Sequence, residues 1–95
     1  MLHDIVYVKP LKNYRLWIRF EDGVEGEIDV AKLVNMEGVF APLLQLEFFL
    51  QVKVDPEIGT ICWPNGADLD PVVLYSKVSG QPMPVFSDIE NISAG

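Results

Sequence analysis

Between positions 14 and 30 the chain alternates apolar and polar residues twice. Tyr14, Leu16, Ile18 and Phe20 share one face of an extended strand, and Arg15, Trp17 and Arg19 share the other. Val24, Gly26, Ile28 and Val30 repeat the pattern, with Glu25, Glu27 and Asp29 opposite. These two runs predict an antiparallel hairpin and its register. Pairing Phe20 with Val24 sets apolar against apolar, Arg19 against Glu25, Trp17 against Glu27 and Arg15 against Asp29; a slip by one residue would face apolar side chains with acids. The connection is then Glu21-Asp22-Gly23, a three-residue loop with Gly in the left-handed position. Exposed cross-strand charge pairs are worth about 0.2–1 kcal/mol each, so they select register more than they stabilise.

The remaining elements follow from weaker patterns. Leu2 to Val8 alternates poorly but is rich in Ile, Val and Tyr and reads as a strand, with Pro10 to Asn13 as a turn. Ala31 to Gly38 reads as a polar or single helical turn. Phe40, Leu43, Leu44, Phe48 and Phe49 are spaced for a helix. Proline is tolerated only near a helix start, so Pro42 places that helix at 41–50, with a break near Leu46. Its aromatic face is read as core, because a small sheet needs a helix to cover it. Val52 to Asp55 and Thr60 to Trp63 predict a second hairpin across Pro56 to Gly59, and Val72 to Val78 a short last helix. The order is β-β-β-α-β-β-α: an α+β fold of small antiparallel sheets covered by helix. One domain spans 1–79. The segment 80–95 is broken by Pro82, Pro84, Ser87 and Ser93 and reads as a tail, with Val85 and Phe86 as candidates for docking on the domain.

The stretch Trp63-Pro64-Asn65-Gly66-Ala67-Asp68-Leu69-Asp70-Pro71 organises the chain around it. Pro64 cannot donate to a ladder and ends the strand. Asn65-Gly66 is a turn pair, since Gly tolerates positive φ and Asn folds back on its own backbone. Asp70 before Pro71 fits an N-cap followed by proline at the first helical position, and Gly80 suits a helix C-terminus. Pro64, Asn65, Gly66, Asp70 and Pro71 thus each have a local backbone role. The competing reading makes Asn65, Asp68 and Asp70 a ligand or hydrolytic site, where two carboxylates would suit a divalent cation such as Mg2+.

Composition narrows the function classes. At 95 residues the chain is one domain. Fourteen acidic against seven basic residues give a net charge of −7, which argues against a phosphate-binding basic face. The charge serves solubility or a basic protein partner. No apolar run spans a bilayer, and the N-terminus lacks a signal pattern, so a cytoplasmic setting is expected. The single cysteine, Cys62, excludes an internal disulfide framework and sits on a strand away from sequence-adjacent cations. One His and one Cys cannot build a usual zinc site, and His3 reads as an exposed or packed residue. Phosphate-cradling and dinucleotide-binding motifs are absent, and Ser76 and Ser79 have no base identifiable in sequence. No cofactor is expected. Trp17 between Arg15 and Arg19 could stack a base or a partner side chain, or be covered by arginine stems; Glu25, Glu27 and Asp29 opposite would repel phosphate.

Phe20-Glu21-Asp22-Gly23, Gly26-Glu27-Ile28-Asp29, Gly38-Val39-Phe40-Ala41-Pro42-Leu43, Phe48-Phe49 and the tryptophan stretch together resemble the domain of unknown function 2442 family of small bacterial proteins. The likeness covers roughly residues 2–78. Gln45-Leu46 stands where members tend toward Asp-Pro, which touches only a helix cap. The resemblance implies three strands, a helix and two strands. Some relatives carry a helix-turn-helix domain behind this one, for which the chain ends too soon. Members are often encoded beside another small protein, which implies a toxin–antitoxin-like or regulatory pair. No catalytic residue is established for the family, and none is carried over. The reading is a non-enzymatic interaction or regulatory module that binds a small protein partner, with Trp17, Trp63, Asn65, Gly66, Asp68 and Asp70 as candidate interaction residues. Direct nucleic-acid and membrane binding are not expected, and a weak homodimer stays open.

Overall fold

The computed structural model describes residues 3–80. The candidate docking of Val85 and Phe86 lies outside them. Strands β1 (Ile5–Pro10), β2 (Arg15–Phe20) and β3 (Glu25–Asp29) form an antiparallel sheet in that order. β2 and β3 pair as Arg15 with Asp29, Trp17 with Glu27 and Arg19 with Glu25, the register that the alternating faces demand. The Phe20 N–H donates to the Val24 carbonyl at 2.8 Å, and Gly23 carries φ 92° in the loop. Leu16, Ile18 and Phe20 are wholly buried on the inner face.

The poor alternation of the first strand has a structural cause. The pairing of β1 with β2 shifts between Ile5 and Tyr7, a bulge that leaves Val6 outside the ladder. Ile5 therefore points into the core, while Val6 and Tyr7 are both exposed. The strand also runs further than the sequence suggests, to Pro10; Asn13 and Tyr14, both at φ 60°, carry the turn.

A second antiparallel pair, β4 (Lys53–Asp55) and β5 (Thr60–Cys62), lies against β1. Asp55 builds its turn: its carboxylate accepts from the Glu57 N–H at 2.9 Å and its carbonyl from the Gly59 N–H at 2.8 Å. Gly59 then accepts from the Ile5 N–H at 2.9 Å and ties the two sheets together.

Between the sheets the expected helix over 41–50 is replaced by several pieces. α1 (Val30–Leu33) is one turn. A 3-10 segment (Gly38–Leu44) follows, and α2 (Leu46–Phe49) is separate from it. Pro42 lies inside the 3-10 segment, and Gln45 is extended at φ −82°, ψ 116°, so no continuous α-ladder crosses it. Gln45 then accepts from the N–H groups of Phe48 and Phe49, both at 3.0 Å, which starts α2 beside the break that the sequence set near Leu46. The last helix, α3 (Pro71–Ser79), packs on β3. Gly26 makes this approach fit: a Cβ there would stand 2.9 Å from a Val78 methyl. The core joins the inner sheet face to Leu43, Phe49, Ile61, Trp63, Ala67, Leu69 and Leu74. No helix among the described residues is long and apolar enough to cross a membrane.

Candidate functional site

After β5 the chain closes a loop on itself. The Trp63 N–H donates to the Ala67 carbonyl at 2.9 Å, and the Gly66 N–H to the Trp63 carbonyl at 3.0 Å. Gly66 has φ 90°, a conformation that glycine adopts without a Cβ penalty. Cys62 and Asp68 bridge across the loop. Trp63 itself is 1% exposed, with its indole N–H donating to the Phe49 carbonyl at 3.0 Å. Its place among the candidate interaction residues is thus inside the core, where a partner does not reach it.

Asn65 joins two of the sequence motifs. Its Oδ1 accepts from the Ala67 N–H at 3.2 Å, and its Nδ2 donates to the Val39 carbonyl at 2.8 Å. In a 3-10 ladder that carbonyl would receive the N–H three residues on, at Pro42, which has none. Asn65 supplies the donor that the proline lacks. Thr60 makes a similar tie on the other side of the loop, its buried hydroxyl donating to the Leu69 carbonyl at 2.7 Å.

Asp70 is the N-cap of α3. Its carboxylate accepts from the Val72 N–H at 2.8 Å, with Pro71 next and Gly80 closing the helix in the left-handed conformation. Removing the cap by Asp70→Ala is expected to cost about 0.5–2 kcal/mol. Urea denaturation followed by circular dichroism measures it; an unchanged midpoint would show that the cap carries no stability. Asp68 and Asp70 also border a cavity of about 240 Å³, shared with Leu33, Val34, Phe40, Leu69, Val73 and Leu74. Its walls are mostly apolar. Among the described residues no three or more His, Cys, Asp or Glu side chains gather as metal ligands do. The amide of Asn65 and one oxygen of Asp70 are already engaged by the protein's own groups.

The outer face of the three-stranded sheet presents a different chemistry. The Trp17 indole N–H donates to Glu25 Oε1 at 3.0 Å, and Arg19 Nε donates to the same oxygen at 3.2 Å. Those two donors, the indole first, hold the Glu25 carboxyl below its ordinary range. Arg15 bridges Glu27 at 3.1 Å and Asp29 at 3.7 Å. The Arg19 guanidinium lies 5.4 Å from the centre of the Tyr7 ring. Tyr7, Lys9, Leu11, Trp17 and Arg19 line a shallow groove. Sequence reasoning found Trp17 and Arg19 but missed Tyr7 and Lys9. The bulge in β1 obscured which of its residues face outward.

A third cluster joins distant parts of the chain. The Tyr75 hydroxyl donates to Asp22 Oδ2 at 2.6 Å, His3 Nδ1 lies 3.3 Å from the same oxygen, and the His3 ring stacks on Tyr75 at 4.0 Å. The Tyr75 hydrogen bond, then the Val24 N–H, and the charge of His3 hold the Asp22 carboxyl below its ordinary 3.8; the same carboxylate raises the Tyr75 phenol above 10.0. A carboxylate whose value is lowered on folding stabilises the fold above its unfolded value and loses that contribution as the pH falls through the folded one. The melting-temperature gap between the wild type and Asp22→Asn is therefore expected to be open above pH 3.8 and to close as the pH falls below it. A gap independent of pH would remove ionisation of Asp22 from its cause.

These elements define a small α+β domain of two antiparallel sheets bridged by a proline-containing 3-10 segment and an asparagine turn. The chain belongs to the DUF2442 family: the family described as "Protein of unknown function (DUF2442)" matches residues 5–80. No curated protein matches the chain, and no solved structure does.

Proposed function

We propose that this chain is a non-enzymatic interaction module that binds a small protein partner, as the antitoxin-like or regulatory member of a two-protein pair. The observation that carries this reading is the outer face of the sheet. There Tyr7, Lys9, Trp17 and Arg19 stand together at the surface, while helix α3 packs against β3. Trp, Tyr and Arg are the residue types that carry most binding energy in interfaces. The net charge of −7 adds long-range steering toward a basic surface elsewhere on a partner. The tryptophan turn supports the reading from the other side, because Asn65, Gly66 and Asp70 have backbone roles that account for their presence.

The test is co-expression with the protein encoded beside it in the native genome, one of the two carrying a tag. Stoichiometric retention through size-exclusion chromatography is expected. For the antitoxin-like role, the neighbour expressed alone should slow growth and this chain should relieve it. Elution as separate monomers at micromolar concentration would overturn the pairing.

A further inference from the structure

We infer that the groove between β1 and β2 docks a short acidic peptide segment of a partner protein, a carboxylate seated against Lys9 and Arg19 and an apolar side chain against Tyr7, Leu11 and Trp17. The assignment rests on the reading of the domain as an interaction module and names its surface and its partner's chemistry.

The pairing of β1 with β2 sets Tyr7 opposite Arg19 and Lys9 opposite Trp17, so four side chains stand at the corners of one patch of outer sheet. Cross-strand neighbours stand about 5 Å apart at Cβ and diagonal ones about 7–8 Å, within reach of one peptide side chain. Two corners are aromatic and two are cationic. The aromatic ones differ in how they are held. Trp17 is fixed by its hydrogen bond to Glu25, so its indole loses little freedom on binding. Tyr7 is 41% exposed and is steadied by the Arg19 guanidinium.

The charges decide the occupant. Glu25 takes Trp17 and Arg19 on one oxygen, and Arg15 takes Glu27 and Asp29. The Lys9 ammonium has no ion-pair or hydrogen-bond partner among the described residues. Arg19 meets Glu25 through Nε, and no described residue takes the donors of its two terminal nitrogens. The groove thus holds an uncompensated ammonium and part of a guanidinium, with no acid in its lining. A carboxylate is the complement of that pair. A nucleic-acid strand fits less well. Its successive phosphates would run past Glu25, Glu27 and Asp29 on β3, and the remaining cation of this face, Arg15, is already neutralised.

The two tryptophans make the test specific. Trp17 lies at the groove and Trp63 is buried, so their indole N–H signals in a 15N–1H NMR spectrum give a site reporter and an internal control. The probe is an acetylated, amidated hexapeptide of sequence Gly-Asp-Phe-Glu-Gly-Gly, whose two carboxylates match the two cations of the groove. Controls are the same peptide with lysines for its acids and a short single-stranded oligothymidylate. A saturable shift of the Trp17 signal with the acidic peptide alone is expected, the Trp63 signal staying in place. Lys9 lacks a partner, so Lys9→Glu should leave the melting curve unchanged and weaken the peptide by about tenfold or more. No shift at millimolar peptide, an equal response to the lysine peptide, or a stronger response to the oligonucleotide would overturn the assignment. Retention of the co-expressed neighbour separates the two levels. If Lys9→Glu retains it as the wild type does, the groove is wrong and the module reading stands. If the wild type retains nothing yet the peptide titrates specifically, the groove stands and the pairing falls.

Discussion

Truncating Trp63 to alanine is expected to destabilise the domain by about 3–5 kcal/mol, the range for deleting a fully buried aromatic side chain. The ring is 1% exposed and lies beside Phe49 of α2, 6.1 Å between centroids. Its loss opens a cavity between the second sheet and the short helix and also removes the donor to the Phe49 carbonyl. Against a total stability on the order of 5–15 kcal/mol, that change is enough to populate the unfolded state. Trp63→Phe separates the two contributions. It keeps much of the apolar volume but loses the hydrogen bond and part of the ring, so about 1–3 kcal/mol is expected, below the alanine variant. Urea denaturation followed by far-ultraviolet circular dichroism compares the three proteins. A loss under about 1 kcal/mol for Trp63→Ala would mean that the ring does not carry the packing its burial implies.

The second large effect is expected at Thr60. Its side chain is buried, 4% exposed, and its hydroxyl donates to the Leu69 carbonyl across the loop. Thr60→Val keeps the shape and strands that carbonyl, which should cost about 1–3 kcal/mol. Thr60→Ser retains the hydroxyl and should recover much of the loss. Amide exchange locates the effect: faster exchange in β5 and the loop than in β2 and β3 is expected for the valine variant. Equal exchange in both sheets would show that Thr60 acts on global stability rather than as a local tie.

The parts of this fold legible in the sequence are those where two independent patterns agree. The β2–β3 register was readable because apolar alternation and opposed charges select the same pairing. The Asp70-Pro71 cap and the glycines at 23, 66 and 80 were readable because each has a local backbone requirement. The failures have equally specific causes. A bulge puts two consecutive residues, Val6 and Tyr7, outside, so period-two reasoning could not assign the face of Lys9. Thr60, Ile61 and Cys62 are all buried, so alternation in β5 carries no information about whether Trp63 meets water. Phe40, Leu43 and Leu44 kept helical spacing in a 3-10 segment, where Leu44 is 53% exposed. The His3–Asp22–Tyr75 cluster spans 53 positions between Asp22 and Tyr75, and no local signal announces it.

The bond from Asn65 to the Val39 carbonyl makes the tolerance of one position conditional on another. With Pro42 present, Asn65→Ala leaves that carbonyl without the donor it now has. With alanine at 42, the backbone regains an N–H three residues from Val39, and position 65 is released from that duty. The order of change therefore matters to any lineage carrying this fold: replacement of the proline opens a route to losing the asparagine, whereas losing the asparagine first must cross a destabilised intermediate. Two segments 26 residues apart are tied by this one bond, and a coupling between substitutions at 42 and 65 would reflect a missing hydrogen on a proline ring rather than a shared ligand.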